Sequence, residues 1–287
     1  MTRLFSVKAG TFKLDGGAMF GVVPKTLWAR LNPPDENNLC TWALRCLLMD
    51  TGERRILIDT GMGTKQDAKF FSHYEPSGHI LHESLSQLGF DRKDITDVFL
   101  THLHFDHCGG ALEKNAVGSI VPAFPNATYW SCKSHLEWAL TPNARERASF
   151  LRENIMPFIE QDLFQFIPEE QDIEWIEGIR ILFAYGHTQA MMIPKIPFRD
   201  STVVFCADLL PSSYHVSMPY VMSYDTRPLL TLEEKERFFV EVIEGNFVLF
   251  LEHDPVNECI RLTKDERGRY VISEYLSLQG LNDEKEL

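Results

Sequence analysis

THLHFDHCGG, residues 101–110, places His102, His104, Asp106 and His107 within six positions and follows them with Gly109-Gly110, in a chain with ten histidines over 287 residues. A packed core does not ask for such a cluster. Imidazole and carboxylate are costly to bury unless something pairs with them, and a divalent cation pairs with both. In an extended segment side chains repeat every two residues, so His102 and His104 point to one side and form a two-pronged clamp. Asp106 and His107 then turn across to a second position as the chain enters the glycine bend. A lone histidine at a strand end is more often a hydrogen-bonded structural residue. Four donors at this spacing are a different matter.

Upstream, ITDVFLT (95–101) is a short, β-rich apolar run that leads straight into the cluster. It predicts a strand with the cluster on the loop at its carboxyl end, where α/β proteins place their chemistry. The pattern recurs downstream. IRILFAY (179–185) ends in Gly186-His187-Thr188, TVVFC (202–206) in Ala207-Asp208, and FVLFLE (247–252) in His253-Asp254. Four predicted strands thus deliver ligand-type side chains at their ends. Residues 40–59 read as a β-hairpin around the turn signal DTGER. Residues 79–90 read as a helix with Ile80, Leu81, Ser84, Leu85 and Leu88 at helical spacing and Gly89 as the stop. TLEEKERFFVEVIE (231–244) predicts an amphipathic helix with Thr231 and Glu234 as a capping box. The stretch 140–178 carries Pro142, Pro157 and Pro168 among helical segments such as NARERASFLRENI, and reads as a helical insertion within one domain spanning 1–287.

The composition, 44% hydrophobic and 24% charged, is that of an ordinary globular protein with a sizeable core. A net charge of −13 argues against nucleic acid and anionic membrane as partners, since both need a basic face. No apolar run approaches the roughly 18 residues of a membrane span. The opening MTRLFSVKAGTFKLDGG alternates and breaks at glycine instead of forming the apolar block of a signal peptide, so the chain is expected to be cytoplasmic. Cys40, Cys46, Cys108, Cys132, Cys206 and Cys259 form no C-x-x-C pair and read as reduced, mostly buried thiols. Cys108 abuts the histidine cluster and reads as a small residue tucked behind the loop rather than as a zinc thiolate.

His102, His104, Asp106, His107, His187, Asp208 and His253 are too many donors for one tetrahedral zinc, which takes four. They suit two divalent metals that share a carboxylate. The division we infer puts His102, His104 and His187 on one metal, Asp106, His107 and His253 on the other, and Asp208 between them. A set with nitrogen and oxygen but no sulfur favours zinc, with manganese, cobalt and iron as the other ions it accepts. His135 and His215 stand alone in sequence and keep the structural default.

Together, Thr101 to His107 with Gly109-Gly110, Gly186-His187-Thr188, Ala207-Asp208 and Glu252-His253-Asp254 resemble the metallo-β-lactamase-fold hydrolases, in order and over most of the chain. Asp59-Thr60-Gly61, at the end of the predicted hairpin, matches a further family element whose aspartate supports the metal loop. The resemblance implies an α/β fold, an αβ/βα sandwich of two mixed β-sheets face to face with helices outside and metals at one edge. Branches of the family separate by residue. Members that cleave β-lactams as zinc enzymes commonly carry cysteine where this chain has Asp208, and the redox di-iron branch commonly has glutamate where it has His104. Glutathione-thioester hydrolases continue in a long helical tail, whereas the stretch after His253 is short, and nucleases would want a basic surface.

What remains resembles the lactonase branch, which includes enzymes that open N-acyl-homoserine lactones and relatives that hydrolyse organophosphate esters. GGAMFGVVPKTLW (16–28) is similar to an N-terminal loop that walls the substrate pocket there, and ADLLPSSYH (207–215) and YDTRPL (224–229) also look like that branch. Many members read Gly-His-Thr-Pro-Gly-His; this chain has Gly-His-Thr-Gln-Ala-Met at 186–191, which keeps His187 and changes the turn after it.

The resemblance implies a dinuclear metal-dependent hydrolase that opens a lactone ring, best an N-acyl-homoserine lactone, as quorum-quenching lactonases do. The alternatives are phosphotriester, aryl ester or thioester hydrolysis on the same fold, and, outside hydrolysis, a redox iron protein. Two zinc ions sharing a water would lower its pKa to about 7 or below and so would supply an activated nucleophile at neutral pH without a protein base. Asp106 and Asp208 hold the metals and orient that nucleophile. Tyr214 and His215 are candidates to stabilise the oxyanion. Met19, Phe20, Trp28 and Phe105 are candidates for an apolar pocket around an acyl chain, against the plain alternative that they are core. The expected partner is a small-molecule substrate with an apolar acyl chain, with no nucleic acid and no membrane, and a homodimer left open.

Overall fold

The predicted hairpin and strand-end pattern organise the computed structural model, which describes residues 2–78 and 81–283. The strands are β1 (Arg3–Asp15), β2 (Leu39–Asp50), β3 (Arg55–Ile58), β4 (Asp97–Phe99), β5 (Leu112–Lys114), β6 (Ile120–Pro122), β7 (Thr128–Cys132) and β8 (Phe164–Ile167). They continue with β9 (Ile173–Glu174), β10 (Arg180–Ala184), β11 (Met191–Phe198), β12 (Ser201–Phe205), β13 (Val248–Phe250), β14 (Cys259–Lys264) and β15 (Tyr270–Leu276). One mixed sheet runs β1-β2-β3-β4-β7-β8 and another β15-β14-β13-β12-β11-β10-β9, with β5 and β6 as a separate ribbon. The helices that matter below are α1 (Gly16–Phe20), α2 (Lys25–Trp28), α3 (Ala68–Tyr74), α4 (Leu81–Gln87), α5 (Phe105–Cys108), α6 (Lys133–Leu140), α7 (Arg152–Glu160) and α8 (Pro228–Glu244).

β2 and β3 pair antiparallel across the turn at 50–54, with Leu47 opposite Ile58 and Asp50 opposite Arg55. β3, β4, β7 and β8 then run parallel, Ile58 facing Phe99 and Phe99 facing Trp130. Parallel strands end on the same side, so the chain leaves β3 at Asp59 and β4 at Leu100 next to one another. In the other sheet β12 and β13 are parallel, with Phe205 beside Phe250, which likewise brings the residues after both strands together.

The chain divides into two compact units: Met1–Phe12 with Ala43–Glu169, and Lys13–Trp42 with Glu170–Leu287. The first unit buries Leu47, Leu57, Val98, Phe99 and Tyr129, with Phe158 of α7 stacked on Phe164 of β8. The second buries Ile181, Val203, Phe205, Phe250, Phe238 and Phe239.

Within these elements sequence and structure differ at two places. The helix expected at 231 starts at Pro228, whose missing N–H costs nothing at the first helical position. Thr231 therefore lies inside the first turn, and the expected capping box with Glu234 does not form. Glu234 instead accepts the backbone N–H groups of Tyr185 and Gly186 (2.8 and 2.9 Å). The stretch 140–178 is helical only in part: α7 is there, but β8 adds a parallel strand beside β7 and β9 pairs with β10. In the 79–90 helix, Leu81, Ser84 and Leu85 form the buried face of α4, Ile80 lies outside the described residues, and Gly89 follows the end with φ +86°.

Candidate metal centre

In the first unit the cluster is built around one buried carboxylate. Asp59, at the end of β3 with φ +55°, accepts the Thr101 backbone N–H (2.8 Å) and the Thr101 hydroxyl (2.6 Å). It also accepts His107 Nδ1 at 3.0 Å. Because the Thr101 hydroxyl spends its hydrogen on Asp59, it accepts from His102 Nδ1 at 3.0 Å. Nε2 of both His102 and His107 is thereby left as the lone-pair nitrogen. His104 is turned the other way, with Nε2 donating to Glu146 Oε1 (3.1 Å) and Nδ1 left with the lone pair. That Nδ1 lies 3.1 Å from His102 Nε2. Two nitrogen lone pairs this close repel unless a cation sits against both, so the residues fit a divalent metal.

The surroundings hold this geometry. Glu146, 3% exposed, is itself fixed by Trp138 Nε1 (2.7 Å) and Asn143 Nδ2 (3.2 Å). His135 Nε2 accepts the Leu103 N–H at 2.8 Å and pins the peptide between the two clamp histidines, a structural role as its isolation in sequence predicts. A Cβ on Gly109 would stand 2.0 Å from the Met62 carbonyl oxygen and one on Gly110 2.1 Å from that of Thr60, so the Gly-Gly pair lets the metal loop lie against 60–63. The buried Lys65 ammonium donates to the carbonyls of Gly109 and Leu112, and burial lowers its pKa to about 8. Burial pushes the Cys108 thiol up to about 12, and it donates to Leu103 O at 3.4 Å. It is a neutral thiol behind the loop, as expected.

The second unit holds the remaining donors. His187 follows β10, Asp208 follows β12 and His253 follows β13, as the strand-end pattern predicts. Asp208 Oδ2 lies 3.0 Å from His187 Nε2, and Oδ1 3.3 Å from His253 Nε2, so each carboxylate oxygen faces a different imidazole. Asp225 takes His187 Nδ1 at 2.8 Å. Burial opposes a charge on His187, yet Asp208 and then Asp225 outweigh it and lift its pKa to about 10. This pocket of carboxylate attracts positive charge, which is what a metal site requires. Gly186 is held close: a Cβ there would meet Thr231 Oγ1 at 2.3 Å. In the altered turn, Ala190 adopts φ +51° where many family members have glycine. Asp254 accepts the Ser213 N–H (2.8 Å), the Ser213 hydroxyl and two further backbone N–H groups, and so ties the loop after His253 to the loop after Asp208.

The remaining candidates separate. Both ring nitrogens of His215 are engaged, Nδ1 with Ser212 Oγ (2.7 Å) and Nε2 with the Met19 carbonyl (3.0 Å), and its ring stacks on Phe20. Burial drives its pKa down to about 4, so it is a neutral packing residue. Tyr214 is half-buried, and burial raises its phenol to about 12. Met19, Phe20 and Trp28 are at most 2% exposed and pack together as core of the second unit, Phe20 stacked on Trp28 at 5.2 Å. Phe105 belongs to a different cluster, in the first unit against Phe70 and Tyr74. Glu146 and Asp225 were not among the residues expected from the sequence, although Asp225 lies within the YDTRPL stretch.

A fold of two mixed sheets with helices, carrying histidine and aspartate donors at strand ends, defines a metal-dependent hydrolase of the metallo-β-lactamase fold. The profile of the Metallo-beta-lactamase superfamily matches residues 45–243, and the chain belongs to that superfamily. It is similar to the N-acyl homoserine lactonase of Bacillus cereus, 24% identical over 96% of this chain and 98% of the relative. Among solved structures it is similar to a probable metal-dependent hydrolase from Staphylococcus aureus, with TM-score 0.85 and 25% identity over 96% and 98% of the two chains. It also superposes on AidC, a dizinc quorum-quenching lactonase solved with a homoserine product, with TM-score 0.76 and 22% identity over 96% of each chain.

Proposed function

We propose that this hydrolase opens lactone rings bearing an apolar acyl chain, with N-acyl-homoserine lactones as the substrate class. In this reading it binds two divalent ions, zinc in the first place. His102, His104 and His187 hold one, Asp106, His107 and His253 the other, and Asp208 both. The observation that carries the metal assignment is Asp208, whose two oxygens face His187 and His253. The choice of lactone is supported by the likeness to the lactonases over 96% of the chain.

When bound, the ions supply Lewis acidity and an activated water at neutral pH. The chain's own residues do the rest. Asp59, Glu146 and Asp225 each hold the N–H of one imidazole and so fix which nitrogen faces the ion. Asp208 supplies charge against two dications. Tyr214, with its phenol protonated throughout the neutral range, is the group that donates a hydrogen bond to the developing oxyanion. His215 has no nitrogen left for that role, and it positions Met19 instead. Met19, Phe20 and Trp28 act as packed support for the acyl-chain site, and Phe105 as an aromatic wall over the metal loop. All six cysteines are buried, which suits a reducing compartment, in keeping with action in the cytoplasm.

The test is ring opening of metal-loaded protein, followed by proton release over a series of acyl lengths. Each buried methylene contributes about 0.8 kcal/mol, so kcat/KM should rise by up to roughly fourfold per methylene until the site is full. A flat response to lactones beside strong turnover of a phosphotriester, aryl ester or thioester would give the function to one of those reactions.

A further inference from the structure

Beside the metal loop of the first unit, between the end of α6 and the start of α7, lies a cavity of about 190 Å³. Its walls include the apolar side chains Ala139, Leu140, Phe150, Ile155 and Met156, and the charged residues that line it are Arg147 and Arg152. No carboxylate lines it, in a chain with 41 acidic and 28 basic residues. Elsewhere arginines find acids: Arg3 meets Asp50, Arg54 meets Asp97, and Arg180 meets Asp172. Among the described residues Arg147 and Arg152 make no ion pair. Their neighbour Glu146 is turned away to His104, Trp138 and Asn143.

An apolar cavity with two guanidiniums at its wall matches a molecule with an aliphatic tail and an anionic head. Guanidinium recognises carboxylate through paired, charge-assisted hydrogen bonds, and the tail gains by leaving water. The volume holds roughly six water-sized groups, which suits a tail of medium length. We propose that this cavity binds medium-chain aliphatic carboxylates, at a site distinct from the metal ligands. An N-acyl lactone is uncharged and would leave both arginines without a counter-ion, so the cavity is not simply the acyl-chain site of the proposed reaction. The site is nevertheless one side chain away from the metal loop, since the Phe150 ring that forms a wall lies 4.8 Å from the ring of His104.

Titration calorimetry of the metal-loaded full chain tests this with octanoate, octanol and acetate, alongside the double variant Arg147→Gln/Arg152→Gln. Octanoate should bind saturably at one site per chain, and octanol and acetate about tenfold or more weaker, since each lacks one of the two recognition elements. The double variant, altered only at exposed side chains, should lose roughly tenfold in octanoate affinity with an unchanged melting temperature. The Met156 methyl resonance, assigned with Met156→Leu, should shift on octanoate addition in the wild type. Absence of saturable octanoate binding, or equal octanoate affinity in wild type and double variant, would overturn the proposal; the second result would place the carboxylate elsewhere, the metal ions included. No lactone is turned over in these measurements, so their outcome is independent of the substrate proposed above.

Discussion

Asp208 faces two imidazoles with one carboxylate, Oδ2 toward His187 and Oδ1 toward His253. Asp208→Asn keeps the shape and removes the charge. Metal analysis should then show fewer than two ions per chain, and kcat/KM should fall by about two orders of magnitude or more. Full metal content with near wild-type turnover would contradict the shared role. His215 makes a second prediction at this scale. Its imidazole titrates near 6.5 when unfolded and near 4 when folded, so between these values the unfolded chain takes up a proton that the folded chain refuses. The stability it contributes is complete above pH 6.5 and is lost as pH falls toward 4, by up to about 1.4 kcal/mol per pH unit. Urea unfolding of wild type and His215→Gln between pH 7 and 4.5 measures this. The variant should be less stable at pH 7 and lose less per unit of acidification.

The elements that carry the donors are short and depend on close backbone approach. After β10 the chain turns through Gly186-His187-Thr188 against the first turn of α8, held by the Arg227 N–H on Gly186 O (2.8 Å) and the Thr226 N–H on His187 O (3.1 Å). Two residues beyond Thr188, Ala190 holds the left-handed conformation that a side chain disfavours. Ala190→Gly should therefore raise stability by up to about 1 kcal/mol, the relief of strain outweighing the added freedom of the unfolded chain. Thermal melting would show it, and a lower melting temperature would mean that the Ala190 methyl packs better than its backbone strains. The same turn explains why the capping box at Thr231 fails. Gly186 and Tyr185 need acceptors for their N–H groups, and Glu234 meets that need across 48 and 49 residues instead of capping its own helix.

For the whole molecule, any ion that binds the folded chain and not the unfolded one adds to its stability. An ion present at 1,000 times its dissociation constant stabilises the folded state by about 4 kcal/mol, and each kcal/mol moves the melting temperature of a chain this size by about 2 °C or more. Chelation should lower the melting temperature by roughly 8 °C, and re-addition of zinc should restore it at two ions per chain. A melting temperature that ignores chelator would show that the histidine and carboxylate array folds without need of a cation. Among the described residues no helix is long and apolar enough to cross a membrane.

Much of this protein is written locally. The alternation of strand residues and the glycine and aspartate signals between them specify the hairpin at 40–59 and the strands before His102, His187, Asp208 and His253. The two-residue repeat of an extended chain alone puts His102 and His104 side by side. Those features are legible because each depends on neighbours a few positions away. The tertiary structure decided the partners that turn donors into a site. Glu146 reaches His104 across 42 residues, Asp225 reaches His187 across 38, and Asp59 reaches His107 across 48. No periodicity signals such pairs, and a carboxylate in sequence looks the same whether it caps a helix, faces solvent or holds an imidazole. Whether Met19, Phe20 and Trp28 stand open or packed, and whether His215 has a nitrogen to spare, was likewise decided only when distant segments closed over them and took up their surfaces and hydrogen bonds.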